Sequence, residues 1–174
     1  MGQLETNLFG VMRMVKATLP YMRKQGGGQI INMGSTAGTV PLPFFAAMYS
    51  VSKFALAGYT ENLRYEVKPF NIQVSLVEPA FIKTDLFPDG QPPAYRVSDY
   101  DPWRQRMDDA TRLMRENAPE PSVVAECVLN IIENPTPKLH NPAGEQANRA
   151  SQAHKSLPEE QFEQVMRKNY HLDA

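Results

Sequence analysis

Gln29-Ile30-Ile31-Asn32-Met33, the long pattern from Ala46 to about Lys68, and Ile72-Gln73-Val74-Ser75-Leu76-Val77 together decide the fold. Both apolar runs are short, carry β-branched residues and lack strict alternation, as parallel strands buried on both faces do. A strand, a helix of roughly 20 residues and a second strand form the βαβ unit, in which the strands run parallel. Upstream, Leu4, Leu8, Val11, Met12, Val15, Leu19 and Met22 recur at helical spacing and predict a helix over residues 3–24. Pro20 should kink that helix near its end, and Gly26-Gly27-Gly28 should stop it.

The early half of the 46–68 helix is rich in small residues: Ala46, Ala47, Ser50, Ser52, Ala55, Ala57 and Gly58. Such a surface lets a neighbouring backbone come close. Downstream, residues 78–121 mix prolines with Phe81, Phe87, Tyr95, Tyr100 and Trp103, and predict a long, partly helical excursion. An insertion outside the carboxyl end of a strand is where α/β proteins build ligand lids. Ser122 is the expected cap of a helix over 122–133, with Val124, Val128, Ile131 and Ile132 facing inward. Lys138-Leu139-His140-Asn141 is read as a short edge strand, and residues 156–169 as a terminal amphipathic helix.

The chain has 174 residues, the length of one domain, and 42% apolar residues, enough for a sizeable core. A net charge of −1 gives no general attraction to nucleic acid or to an anionic membrane. Cys127 is the only cysteine, which excludes an internal disulfide and fits a reducing, cytoplasmic compartment. No apolar run approaches the roughly 18 residues of a membrane span. The first residues, Met1-Gly2-Gln3-Leu4-Glu5-Thr6-Asn7, show no signal-peptide pattern. His140, His154 and His171 have no metal-ligand spacing, so no metal site is expected.

Within this frame, Tyr49-Ser50-Val51-Ser52-Lys53 puts a phenol and an ammonium at i and i+4, on one helix face. The positive charge there favours the phenolate form of a group that ordinarily ionises near ~10. Ser35 stands at the carboxyl end of the first strand, where ligands bind in open α/β sheets. A surface tyrosine–lysine pair and a turn hydroxyl beside Gly34 are the plainer alternatives, and residue spacing alone leaves them open.

Residues 4–84 resemble the second half of the short-chain dehydrogenase/reductase family, of the subtype called classical. Asn7-Leu8-x-Gly10 is similar to that family's asparagine motif, and Ile30-Ile31-Asn32-Met33-Gly34-Ser35-Thr36-Ala37-Gly38 to its serine segment. Tyr49-x-x-x-Lys53-Phe54-Ala55-Leu56 is similar to its tyrosine–lysine helix, and Glu78-Pro79-x-x-x-x-Thr84 to the turn that contacts the nicotinamide. The resemblance implies a doubly wound, Rossmann-like parallel sheet in three α/β/α layers. It further implies an NAD(P)-dependent oxidoreductase that interconverts a hydroxyl and a carbonyl.

By that resemblance Tyr49 is the general acid or base, and Lys53 supports it and binds the nicotinamide ribose. Ser35 orients the substrate carbonyl, and Asn7 holds a water that relays protons to Lys53. Pro79, Ile82 and Thr84 line the nicotinamide of NAD or NADP. Ser35, Tyr49, Phe81 and Phe87 meet a small, hydrophobic alcohol or ketone. The helices 3–24 and 46–68 are those through which family members pair, which implies a homodimer or homotetramer.

One domain, 1–174, is expected to divide into a catalytic half at 1–84, a substrate lid at 85–121 and C-terminal helices with the edge strand at 122–174. Ala80 stands where the family often has glycine. No Thr-Gly-x-x-x-Gly-x-Gly turn precedes the asparagine motif, and Gly26-Gly27-Gly28 follows no strand. The resemblance thus implies that the chain begins inside the fifth helix of the fold, with roughly 90 residues of the family pattern absent. Little activity is then expected of the chain alone, and an inactive interaction or dimerisation subunit is the alternative reading.

Overall fold

A computed structural model of the protein describes residues 2–43, 46–84 and 96–172. Three parallel strands, β1 (Gly28–Met33), β2 (Ile72–Pro79) and β3 (His140–Ala143), form a sheet in the order β1-β2-β3. Gly28 aligns with Ile72 and Met33 with Val77, so β1 and β2 are in register along their shared length. The edge strand expected at 138–141 begins at His140 and pairs through Leu76↔His140 and Pro79↔Ala143.

Chain entry is helical throughout. α1 (Gly2–Leu4) passes through a π-helical turn, Glu5–Phe9, into α2 (Gly10–Lys24). Pro20 lies inside α2 without ending it, and Gly26, at φ 84°, makes the turn into β1. α3 (Ala47–Val67) runs between β1 and β2 and closes in a 3-10 turn, Lys68–Phe70. Beyond β2 come α4 (Asp101–Glu116) and α5 (Ser122–Glu133), then β3, α6 (Glu145–Ser156) and α7 (Glu159–Asn169).

Strand alternation sends Ile30, Ile72 and Val74 to one face, where they pack on Val15 of α2 and on Leu63 and Val67 of α3. Val77 and Ala143 face the other way onto Ile131 of α5, with Ile31, Val124, Cys127 and Val128 around them. Helices therefore cover both faces, which is the three-layer arrangement.

Two expectations are corrected. Ser122 is the first helical residue of α5 and makes no cap; the N-cap position is Pro121, with no side-chain bond. The helix placed at 156–169 begins three residues later, as α7 at Glu159, and a further helix not expected from sequence, α6 (Glu145–Ser156), precedes it across Leu157-Pro158. α6 escapes a hydrophobic pattern because its buried residues are Ala147 and Ser151, too small to mark a face.

Below the start of β3, side chains replace ladder bonds along the outer edge of β2. Arg64 of α3 donates from Nη1 to the Val74 carbonyl at 2.8 Å and from Nη2 to the Pro137 carbonyl at 2.9 Å. Ser75 Oγ donates to the Lys138 carbonyl at 2.9 Å. One guanidinium thus ties α3, β2 and the approach to β3. Arg64→Met should lower the unfolding free energy by about 2–3 kcal/mol, because two part-buried carbonyls lose a charged donor. Urea titration at constant m-value reads this. Arg64→Lys should recover only part, since one ammonium cannot copy the two-pronged geometry.

Candidate functional site

The carboxyl ends of β1 and β2 meet the start of α3, and this junction brings together Ser35, Tyr49, Lys53 and Pro79. Ser35 leaves β1 in an extended conformation and caps the 3-10 turn Thr36–Gly38, its Oγ accepting from Ala37 N at 3.1 Å. Its hydroxyl donates to the Pro79 carbonyl at 3.4 Å, and Thr36 Oγ1 does the same at 3.4 Å. In this state Ser35 behaves as the turn hydroxyl that spacing alone left open. The donated bond is at the long limit of hydrogen bonding, so a modest rotation of χ1 frees the hydroxyl for another acceptor. Thr36 was not singled out by sequence, and it holds the same carbonyl.

Gly38 brings this turn hard against α3. A Cβ built there would lie 2.6 Å from the Lys53 carbonyl oxygen, so only a hydrogen fits. Lys53 itself reaches back across the junction, and Nζ donates to the Met33 carbonyl at the end of β1 at 2.9 Å. Nζ also stands 5.9 Å from the centroid of the Tyr49 ring, within cation–π range. Burial pushes the lysine ammonium below its ordinary pKa, because the charged form has lost part of its hydration. Tyr49, on the first turn of α3, is half-buried, and its phenolic oxygen has no hydrogen-bond partner among the described residues.

Asn7 arrives from the π-helical turn between α1 and α2. The wider turn shifts the register of the helix by part of a residue, and such turns recur at functional sites. Asn7 Nδ2 donates to Ser52 Oγ at 3.1 Å, and Ser52 Oγ donates to the Tyr49 carbonyl at 2.7 Å. Asn7, Ser52 and Tyr49 thus form a connected polar line into α3, with Ser52 fully buried. Ser52 is a member that sequence reasoning passed over, although its spacing of three from Tyr49 places it on the adjoining helix face.

Pro79 closes β2, and Phe81 and Ile82 follow half-buried, while Thr84 is exposed. Lys83 fastens this segment to the approach to α5: its N–H donates to the Pro119 carbonyl at 3.0 Å and its ammonium pairs with Glu120 at 2.8 Å. Phe87 and Tyr95 lie outside the described residues. Trp103 of α4 is half-buried under the Arg106 guanidinium, 4.8 Å from its ring centroid, and Tyr100 is exposed. Gly26, Gly27 and Gly28 line an open groove of about 600 Å³ at the amino end of β1 and β2. That is the opposite end of the sheet from Ser35, and the run leads into a strand rather than a helix. It is no phosphate loop.

The comparisons with known proteins follow this geometry. A family model described as short chain dehydrogenase matches residues 2–92. The chain is 51% identical to a 3-ketodihydrosphingosine reductase of Bacteroides thetaiotaomicron over 82 residues, which cover 47% of this chain and 30% of the reductase. It is 32% identical to human 17-beta-hydroxysteroid dehydrogenase type 1 over 142 residues, 78% of this chain and 43% of that protein. A short-chain dehydrogenase structure from Streptomyces avermitilis superposes with a TM-score of 0.70 at 27% identity, over 98% of this chain and 61% of its own. The chain spans between about a third and somewhat over half of the curated relatives it matches. With the matched segment starting at α1 and running past the end of β2 to residue 92, more than half of the chain, the chain belongs to the short chain dehydrogenase family.

Proposed function

We propose that this chain carries the catalytic residues of a nicotinamide-dependent oxidoreductase that interconverts a hydroxyl and a carbonyl on an apolar substrate. The observation that carries the proposal is the placement of Lys53. Its ammonium, partly stripped of water, bridges α3 to the end of β1, beside Tyr49 and next to the Ser35 turn. A charge is costly in that position unless something uses it.

The donor set fits the nicotinamide and ribose end of NAD or NADP. Lys53 spends one of its three N–H donors on Met33, which leaves donors for ribose hydroxyls. Pro79, Ile82 and Thr84 follow β2 out of the sheet and are the residues that would line the ring. Among the described residues, no glycine-rich turn opens onto a helix N-terminus for the pyrophosphate. When bound, the nicotinamide donates or accepts the hydride. The protein's part is protonic and positional. Tyr49 gives its proton to the carbonyl oxygen in reduction and takes it back in oxidation. Ser35, turned from Pro79, holds that oxygen. Asn7 and Ser52 fix the helix turn that presents Tyr49. We assign residues 1–84 to this catalytic part, 85–121 to a substrate lid and 122–174 to a supporting C-terminal part.

Phe81 with Trp103 and Tyr100 favours an apolar ketone or alcohol. The two named relatives are called a ketodihydrosphingosine reductase and a hydroxysteroid dehydrogenase, both names of large apolar substrates. A pairing role through α2 and α3 is supported by Phe9, Met12, Met48, Val51 and Phe54, which are all exposed. The same face serves a homodimer of active chains or an inactive partner subunit. Among the described residues no helix is long and apolar enough to cross a membrane.

Ketone-dependent consumption of NADH or NADPH tests the proposal. Lys53→Met should cut kcat/KM by about 10²-fold, the scale of a lost acid–base assistant, with little change in Tm. Turnover that survives this change undiminished ends the assignment.

A further inference from the structure

β3 carries a histidine with a carboxylate at each ring nitrogen. His140 Nδ1 stands 3.2 Å from both carboxylate oxygens of Glu78, and Nε2 stands 3.3 Å from Glu61 Oε1. Glu78 belongs to β2, and its side chain is only 3% exposed. Glu61 belongs to α3 and is half-exposed at 46%. Leu76 and Glu78 alternate onto the face covered by α3, and His140 is the register partner of Leu76, so all three groups share that side of the sheet.

The two contacts have a common requirement. A carboxylate only accepts, so both ring nitrogens must donate, and only the imidazolium has two N–H groups. With the proton lost, the ring keeps one donor. Glu78 is buried and has no other hydrogen-bond partner among the described residues, so it retains that donor. The Nε2 lone pair then faces the Glu61 carboxylate, and Glu61, with open solvent beside it, lets go.

We propose that His140 is a positioning residue: as imidazolium it ties the helix bearing Tyr49 and Lys53 to the strand end bearing Pro79, and deprotonation releases the helix side of that tie. The proposal rests on the functional reading above only for what the helix carries. Its reach into the site follows from position. Glu78 directly precedes Pro79, whose carbonyl receives the Ser35 and Thr36 hydroxyls. Glu61 lies two turns beyond Lys53 on α3.

The groups facing His140 come from each element packed on it. Glu61 of α3 and Glu78 of β2 favour the cation. His154 and Lys155 of α6 line the same cavity of about 140 Å³ and oppose it, and Thr39 and Val40 add no charge. Among the described residues, only the two carboxylates are in hydrogen-bond contact with the ring. The sign follows from the donor count: the tie holds while the ring carries both N–H protons and is lost when one of them leaves.

Glu61→Gln is the discriminating variant. Residue 61 is half-exposed, so the fold survives, and a carboxamide can accept from the imidazolium or donate to the neutral ring. The tie then persists at either protonation state. Amide hydrogen exchange of the 174-residue chain, compared between the two proteins at each pH, cancels the intrinsic pH dependence. The amides of residues 50–64 should exchange equally in both at about pH 5.5, and about tenfold faster in the unsubstituted chain at about pH 8.5. His140→Leu, which removes the tie at every pH, should exchange these amides faster than the unsubstituted chain at about pH 5.5. Identical pH dependence in the unsubstituted and Glu61→Gln chains overturns the tie. A difference confined to 58–64, leaving the stretch around Lys53 unmoved, overturns the positioning role. These readings need neither cofactor nor turnover, so they stand or fall separately from the Lys53→Met test.

Discussion

Tyr49→Phe should reduce turnover at least about 10³-fold while moving Tm by no more than about 1 °C. The two halves of this expectation come from different features of the same side chain. The ring is half-buried at the start of α3 and lies within cation–π range of Lys53, and a phenylalanine ring keeps both the packing and much of that electrostatic contact. The phenolic oxygen has no hydrogen-bond partner among the described residues, so its removal strands no donor or acceptor. Stability therefore has little to lose. On the proposed mechanism the chemistry loses the proton assigned to Tyr49, while the Ser35 hydroxyl is engaged with Pro79 and Ala37 and one Lys53 donor with Met33. The loss should fall on kcat and kcat/KM alike, because the proton is transferred in the transition state and not on binding. Steady-state kinetics beside a thermal melt give both numbers. Unchanged turnover would return Tyr49 to the ordinary partly exposed tyrosine that its spacing alone allowed.

The fold was legible because its deciding segments obey local rules. Ile30 and Ile31, and then Val74, Leu76 and Val77, sit on strands buried on both faces, and the intervening helix fills the length that a parallel crossover requires. Tyr49 and Lys53 could be paired because i and i+4 on a helix need no tertiary information. The bonds those residues make were not legible. Lys53 donates to a carbonyl twenty positions upstream, and Ser35 to one forty-four downstream. A backbone acceptor carries no side-chain signature, so nothing in the residue pattern announces it.

The π-helical turn at Asn7 was hidden for another reason. It spans Glu5–Phe9 only, and Leu4, Leu8 and Val11 still satisfy a helical period across it. α6 was missed because its inner face is made of Ala147 and Ser151, and size, not hydrophobicity, is what lets it approach β3. The His140 bridge joins three elements separated by 62 residues or more of chain on one side, beyond any local pattern. What a sequence hides here is consistently the polar cross-tie between elements, and those ties are what position the site.

Gly38→Ala is expected to lower stability by about 2–3 kcal/mol and Tm by about 4–12 °C, the upper part of the range for overpacking. The backbone at Gly38 has an ordinary φ, so conformational freedom is not the reason for glycine there. Space is. The added methyl would meet the Lys53 carbonyl oxygen at 2.6 Å, its carbonyl carbon at 2.9 Å and its Cβ at 3.2 Å. The first two are helix backbone and cannot rotate away. The Thr36–Gly38 turn and α3 must separate, and the Lys53-to-Met33 bond spans that same gap. Catalytic loss should therefore accompany the loss of stability, although no reacting group is touched. Gly58→Ala on the same helix supplies the opposite sign. Nothing lies within 4 Å of a Cβ at Gly58, and a glycine in a helix interior costs about 0.5–1 kcal/mol relative to alanine. For the isolated chain the methyl should raise Tm by about 1–4 °C. Measured against protein concentration, the same substitution also tests the exposed face that Met48, Val51 and Phe54 present. If two copies pack there, the gain at low concentration turns into a loss at high concentration, because the methyl then stands where the second backbone must come.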